Sequence, residues 1–168
     1  MYNKIKKELE RNKNVFKELL QNVNKEEYLW RPEPNKWCIL EIICHLHDEE
    51  IEDFRTRVKY VLENPDRTLP PINPVAWVKE RNYIDQNYES ILNAFIKERE
   101  HSVEWLSSLE DQKWDNYYEH PKLGPMSAKL FLSNWLAHDI LHLRQILNLR
   151  FNYLKHISLE DLTYAGNW

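Results

Sequence analysis

One stretch constrains the fold more than any other: MSAKLFLSNWLAHDILHLRQILNLR, residues 126–150. At about 100° per residue, Phe131, Trp135, His138, His142 and Gln145 share one side of a helix. Leu132, Leu136, Ile140, Leu143 and Leu147 share the opposite side. A helix lying on the surface of a domain needs only one apolar stripe. A helix with two is either central in a bundle or covered on its second side by another subunit. In both cases the histidine side is at least half buried.

The rest of the chain supplies partners for that helix. Residues 2–23 carry Ile5, Leu9, Phe16, Leu19, Leu20 and Val23 near helical spacing. RPEPNK at 31–36 ends the run, because Pro32 and Pro34 cannot continue a helix. A second helix is expected from near Trp37 to about Leu62, with Ile39, Ile42, Ile43, Leu46, Phe54 and Val61 in one broad stripe. NPDRTLPPINP, 64–74, is a loop, and 75–84 is either a short helix or a wrapped segment. A third long helix fits 85–109, buried through Tyr88, Ile91, Leu92, Phe95, Val103, Leu106 and Leu109. Residues 110–125 read as a polar connector. The fourth helix fits 126–150 with Ser127 as its cap, and 151–168 reads as irregular or briefly helical. The chain has only 2 glycines, too few for the turns and bulges of a strand-rich fold. The expectation is an all-α four-helix bundle, one domain over 1–168, with one long connection between the second and third helices.

Several function classes find no support. A net charge of −4 argues against a nucleic-acid partner, since neutralising phosphates needs a basic surface. Lys4, Lys6, Lys7, Arg11 and Lys13 alternate with Glu and Asn, as on a solvated helix face. There is no Gly-x-Ser-x-Gly elbow, no Gly-rich phosphate loop and no Cys-x-x-Cys pair. Ser127 and Ser133 have no partners that would make a nucleophile. Cys38 and Cys44 would face different ways on one helix, as small apolar residues in a reducing compartment. With no apolar signal region and no long apolar run, the expected location is cytoplasmic, with no membrane association.

His138 and His142 stand one helical turn apart, the spacing that lets two imidazoles bind one cation. Two core histidines with satisfied nitrogens give the same pattern, so the pair alone leaves both readings open. A metal site needs a further ligand. The second helix offers His45 and His47, which lie about 200° apart and cannot both face one ion. Spacing does not choose between them, and the centre of the apolar stripe leans slightly toward His47. Glu41, Asp48 and Glu49 lie on or near the His45 side as ligands or as partners of the ligands. The plain reading of Asp48, Glu49 and Glu50 is a solvated acidic patch.

Three stretches together resemble the DinB-like, or YfiT-like, superfamily of helical-bundle proteins. LWRPEPNKWCILEIICHLHDEE (29–50) is similar to the family's Pro, Lys-Trp-Ser, apolar run, then His-Leu with acidic residues. WVKERNYIDQNYESILNAFIKERE (77–100) is similar in its Trp, its aromatics and its Phe-x-x-x-Arg. HPKLGPMSAKLFLSNWLAHDILHLRQI (120–146) resembles a His-Pro-x-Leu-Gly-Pro lead into a helix bearing His-Asp-x-x-His-x-x-Gln-Ile. The resemblance spans nearly the whole chain in the correct order. Cys38 departs from it, since Ser or Thr is common there as a cap.

The resemblance implies a bundle in which three histidines bind one divalent metal. By position these are His45, eight residues after Trp37, with His138 and His142. His47 and His101 then become helix-surface residues, and His120 belongs to the connector, where it either approaches the site mouth or, as the favoured reading, has a structural role. Three neutral imidazoles leave coordination positions open, the layout of a catalytic site. All-nitrogen ligation suits zinc, nickel, iron or cobalt, with zinc or nickel favoured. Asp48, Glu49 and Asp139 are candidates to orient a ligand ring or accept a proton. Family members include metal-dependent transferases that use a small thiol such as bacillithiol, mycothiol or glutathione. The resemblance therefore implies a thiol S-transferase of detoxification or stress-response type, acting on a small electrophile with a low-molecular-weight thiol as cosubstrate. The alternatives are a metal-dependent hydrolase and a non-catalytic metal- or ligand-binding interaction module. A homodimer is the expected assembly.

Overall fold

The computed structural model describes residues 1–166. Four long helical segments make the bundle: α1 (Tyr2–Leu20); α3 (Ile39–Glu49) continuing through a π-helical turn (Glu50–Arg55) into α4 (Thr56–Glu63); α6 (Tyr88–Ser108); and α7 (Ala128–Ser158). The principal contacts run from α1 to α6 and α7, from α3 to α6, and from α4 to α7. The first and second segments are therefore diagonal to each other. The long connection between the second and third segments holds α5 (Pro74–Glu80) and a short 3₁₀ turn (Tyr83–Asp85). A short α2 (Lys25–Leu29) follows α1. Among the described residues, no helix is long and apolar enough to cross a membrane.

Side chains at the helix starts satisfy main-chain N–H groups that the first turn cannot pair. Ser127 Oγ accepts the Leu130 N–H of α7 at 3.0 Å, as expected from sequence. Asn87 caps α6, and Asn73, followed by Pro74, caps α5. At Cys38 the Glu41 carboxylate reaches back to the Cys38 N–H at 2.9 Å, which keeps that start anchored without a hydroxyl.

Three expectations need correction. The segment 110–125 is more than a connector. It holds β1 (Tyr117–His120), and β2 (Gly124–Ser127) leads into α7 in an antiparallel hairpin that pairs Tyr117 with Ser127 and His120 with Gly124. Gly124 turns the chain at φ 73°, a conformation costly for residues with a Cβ. Strands this short carry too little alternation to be seen. The fourth helix does not stop near 150. With no Gly or Pro in 151–158, it runs on to Ser158 and ends at Leu159 in a left-handed conformation. The second helix is not uniform, because the π turn inserts extra backbone at 50–55. There Thr56 Oγ1 donates to the carbonyl of Ile51 at 2.6 Å.

The core falls into two apolar clusters with a polar layer between them. One holds Phe16, Leu20, Ile39, Ile43, Phe95 and Ile146, with Phe16 and Phe95 edge to face at 5.4 Å. The other holds Leu9, Phe54, Val58, Leu106, Leu132 and Trp135. Each fully buried side chain of this size contributes roughly 1.5–3 kcal/mol. Between the clusters, every long segment contributes a buried polar group: Asn12 from α1; His45, Glu49 and Glu50 from α3 and its π turn; Arg99 and Ser102 from α6; Asp139 and His142 from α7. On the far side of α7, Ile140, Leu147, Leu154 and Ile157 remain about half exposed.

Candidate metal centre

Three imidazoles converge in the polar layer. His138 Nε2 lies 3.2 Å from His45 Nε2 and 3.0 Å from His142 Nε2. One ligand atom from each ring falls within a single 4.8 Å group. Packing of α3 and α7 creates the approach, and the one-turn spacing on α7 aims two rings at the same point. Trp37 lies against His45 with ring centroids 4.9 Å apart, and Phe54 lies at the same distance from His138.

Hydrogen bonding alone does not satisfy this cluster. Each Nε2 has either one proton or one lone pair, so His138 Nε2 cannot serve both neighbours well. His45 Nδ1 and His142 Nδ1 are buried without a hydrogen-bond partner. Burial resists protonation. It is the main cause that pushes His45 down to about 3, with repulsion from His142 adding and Asp48 opposing. Burial and then repulsion from His142, His45 and Arg99 push His138 down to about 2. His142 is lowered too, by burial, with Gln145 and Asp139 opposing. The rings are therefore held neutral, the form that binds metals. Neighbouring nitrogens around an ion at about 2.05 Å stand roughly 2.9–3.4 Å apart, according to geometry. The two separations at His138 fall in that range and the remaining ligand pair lies within 4.8 Å, so the donor set suits a divalent ion.

Of the acidic candidates, only Glu49 reaches the rings. Its Oε2 is 3.6 Å from His138 Nε2 and its Oε1 4.0 Å from His45 Nδ1. Burial, then the nearby Asp53, pushes it up to about 8, with Arg57 opposing. Asp48 is engaged elsewhere: it accepts from Arg81 and Tyr83, each at 2.7 Å, and meets His47 Nδ1 at 3.0 Å. Burial raises its pKa, but these hydrogen bonds and Arg81 outweigh burial and hold it below the usual range. Asp139 faces away from the rings beside it in sequence. Both its oxygens receive Arg99 at 2.7 and 2.8 Å, and Asn12 donates at 3.0 Å. Glu41 caps α3 and meets Arg31 at 3.2 Å. The 48–50 run is therefore no solvated patch, because Glu50 is buried against Arg99 at 2.8 Å and Trp135 Nε1 at 3.0 Å.

Arg99, Glu50, Asp53 and Arg57 are the neighbours that sequence reasoning missed. Arg99 had a signal: it interrupts the stripe Leu92, Phe95, Ser102, Leu106, where a charge needs a buried partner. His47 is half-buried rather than a plain surface residue, and His101 is exposed beside Glu98. His120 Nδ1 accepts the N–H groups of Lys122 and Leu123, each at 3.1 Å, and so braces the hairpin turn. Cys38 and Cys44 are free and buried, with thiols pushed up, chiefly by burial, to about 11 and 12.

A family model described as the DinB superfamily matches residues 8–146. The chain belongs to the DinB superfamily. Among solved structures it is similar to YfiT from Bacillus subtilis, described as a probable metal-dependent hydrolase with an unusual four-helix bundle topology. The two share 17% identity over 90% of this chain and 87% of that one, with a TM-score of 0.79. Such a likeness establishes the fold. No curated protein matches the sequence.

Two openings reach the histidines of this DinB-superfamily chain. A cavity of about 420 Å³ is lined in part by His138 and walled largely by apolar side chains, among them Phe54, Met126 and Phe131. A second opening, of about 670 Å³, passes His142 beside Arg144, Gln145 and Asn148. Leu141 borders both.

Proposed function

We propose that the protein is a divalent-metal-dependent enzyme of the thiol S-transferase type, with His45, His138 and His142 as ligands. The observation that carries the metal is the convergence of three neutral imidazoles, in which His138 Nε2 lies 3.2 Å from His45 Nε2 and 3.0 Å from His142 Nε2 and cannot hydrogen-bond well to both. When bound, zinc or nickel, or iron or cobalt in their place, supplies a Lewis acid that makes a small thiol or a water acidic. Glu49, whose ionised form a bound cation beside it would favour, takes the proton that the nucleophile gives up. Phe54 and Phe131 keep water from the apolar side. The two openings support a reaction with two substrates, an electrophile entering past His138 and a thiol past His142. The exposed row on α7 supports a homodimer through that helix.

A metal-dependent hydrolase is the second reading. It is favoured by the carboxyl of Glu49 beside the nitrogens and by the description of YfiT. One experiment separates them. Metal-loaded protein is mixed with chlorodinitrobenzene and each of several thiols, and separately with nitrophenyl acetate and no thiol. Conjugation above the metal-free control supports the transferase. Ester turnover without thiol, and no conjugation, replaces it with the hydrolase. Neither activity would leave a non-catalytic binding module.

A further inference from the structure

The apolar cavity carries information about what enters it. His138 is among its lining residues, and its walls come from five places: the π turn, α4, the loop before α5, the hairpin and α7. At its rim Leu123, Leu130 and Leu141 are 68%, 40% and 51% exposed. Leucines left in water around a cavity gain from being covered by an apolar guest.

The polar wall groups are informative because most are already used. Asp53 and Arg57 are the charged carboxylate and guanidinium on the wall. Arg57 Nε donates to Asp53, its second terminal nitrogen donates to the Pro70 carbonyl at 3.3 Å, and its guanidinium lies 5.8 Å from the centre of the Phe131 ring. The pair neutralises itself, so a charged guest would lose hydration without gaining a counter-ion. Asn134 spends an amide hydrogen on the Leu130 carbonyl at 2.9 Å. His120 differs. Because its Nδ1 accepts two main-chain N–H groups, the proton of the neutral ring sits on Nε2. That leaves an N–H donor on the hairpin wall.

We propose that this cavity selects an uncharged, largely apolar molecule with an aromatic or branched aliphatic body, whose hydrogen-bond acceptor meets His120 Nε2–H while its other end faces His138. His120 is then a specificity-determining residue. The role of such a molecule as substrate rests on the enzymatic reading above; its selection by the cavity does not.

The test is equilibrium dialysis of the full chain, metal-free, with three probes of one shape: naphthamide, naphthoate and methylnaphthalene. Removing metal prevents the carboxylate from binding an ion directly, so a failed metal assignment leaves this result standing. Naphthamide is expected to bind about tenfold more tightly than naphthoate, the cost of burying an unpaired charge. The His120→Asn variant keeps an acceptor for the Lys122 and Leu123 N–H groups but is too short to present the second N–H. It is expected to lower naphthamide affinity about fivefold, the value of one neutral hydrogen bond, and leave methylnaphthalene unchanged. Leu130→Glu, an exposed rim position, places a charge at the mouth and weakens both neutral probes. Naphthoate binding as well as naphthamide would overturn the proposal. So would an unchanged naphthamide affinity in His120→Asn, or neutral probes indifferent to Leu130→Glu.

Discussion

Two buried polar clusters share the middle layer of the bundle, and their hydrogen bonding differs. In the first, Arg99 joins Glu50 on the π turn to Asp139 on α7, with Trp135 and Asn12 completing the carboxylates. The named groups are paired within the protein. In the second, three imidazoles from the same two segments turn Nε2 atoms toward one another, and His138 Nε2, with one proton or one lone pair, cannot pair with both neighbours. Both clusters tie α3 to α7, but only the first is complete without a guest. Unpaired polar atoms in a buried site cost free energy unless something binds there. The difference assigns the first cluster to holding the helices and the second to holding a ligand.

The comparison breaks most visibly at Arg99. In Arg99→Met, Glu50 and Asp139 lose their shared counter-charge inside the bundle. A loss of about 3–5 kcal/mol is expected for breaking a buried ion pair on one side, read from denaturant unfolding followed by circular dichroism. In His138→Ala the opposite pattern is expected. Metal affinity falls more than about a hundredfold, beyond the usual effect of changing a ligand's neighbour. Metal-free stability changes much less than in Arg99→Met, because the lost ring had no complete partner set. Elemental analysis of untagged protein, with parallel unfolding curves, checks both halves.

Glu49 lies between the clusters and sharpens the division. Glu49→Gln keeps the shape and the ligands, so metal content is expected to persist while turnover falls about 10²–10⁴-fold, the range for removing a positioned acid or base. Loss of metal in this variant would make Glu49 a ligand instead.

The unsatisfied cluster also predicts a pH dependence of the metal-free protein. His45 and His138 are depressed to about 3 and about 2, whereas free imidazole titrates near 6.5. Between those values the unfolded chain holds protons that the folded chain refuses. Stability is therefore full above about pH 6.5 and falls on acidification, by roughly 1.4 kcal/mol per ring and pH unit. Glu49, raised to about 8 from 4.5, acts with the opposite sign. The folded state keeps its proton between those values, so its contribution falls as pH rises from about 4.5 to 8; the histidines outweigh it below about 6.5, and the sum declines above that. Urea titrations across pH should show a maximum near about 6.5, and bound metal should raise the curve while carrying the acid slope to lower pH, because it excludes protons from the rings of the folded chain and not from those of the unfolded one.

The periodic part of this architecture was legible in the sequence. Four apolar stripes and the proline breaks place the long helices, and the cap at Ser127 follows from its side chain. The His138–His142 turn shows in spacing, but His45 over His47 came from the resemblance, because a stripe centre cannot resolve a choice that a π turn then shifts. That turn left no local mark beyond the gap between Leu46 and Phe54, where acidic residues replace apolar ones. The hairpin was hidden because each strand has four residues and its register depends on contacts with α4 and α7. The pairing of Arg99 with Glu50 and Asp139 spans |i−j| of 49 and 40, which no local pattern encodes.

The smallest expected effect concerns Asp48, which the sequence offered as a neighbour of the ligands. Its carboxylate is held by Arg81, Tyr83 and His47 on the α5 side of α3, and there it ties down the long connection. Arg81 also stacks on Trp77 at 4.2 Å and reaches Glu52 at 2.7 Å. In Tyr83→Phe one of several bonds to Asp48 is lost while Arg81 still pairs the charge. The expected cost is about 1 kcal/mol, the net value of one hydrogen bond. If Asp48 belonged to the histidine cluster, freeing it would change metal affinity through the charge it exerts on His45. If it belongs to the connection, metal affinity stays within about twofold while proteolysis in 64–87 quickens, because local opening follows local stability. Chelator competition and limited proteolysis on the same preparation decide between these, and the hydrogen bonds place Asp48 with the connection.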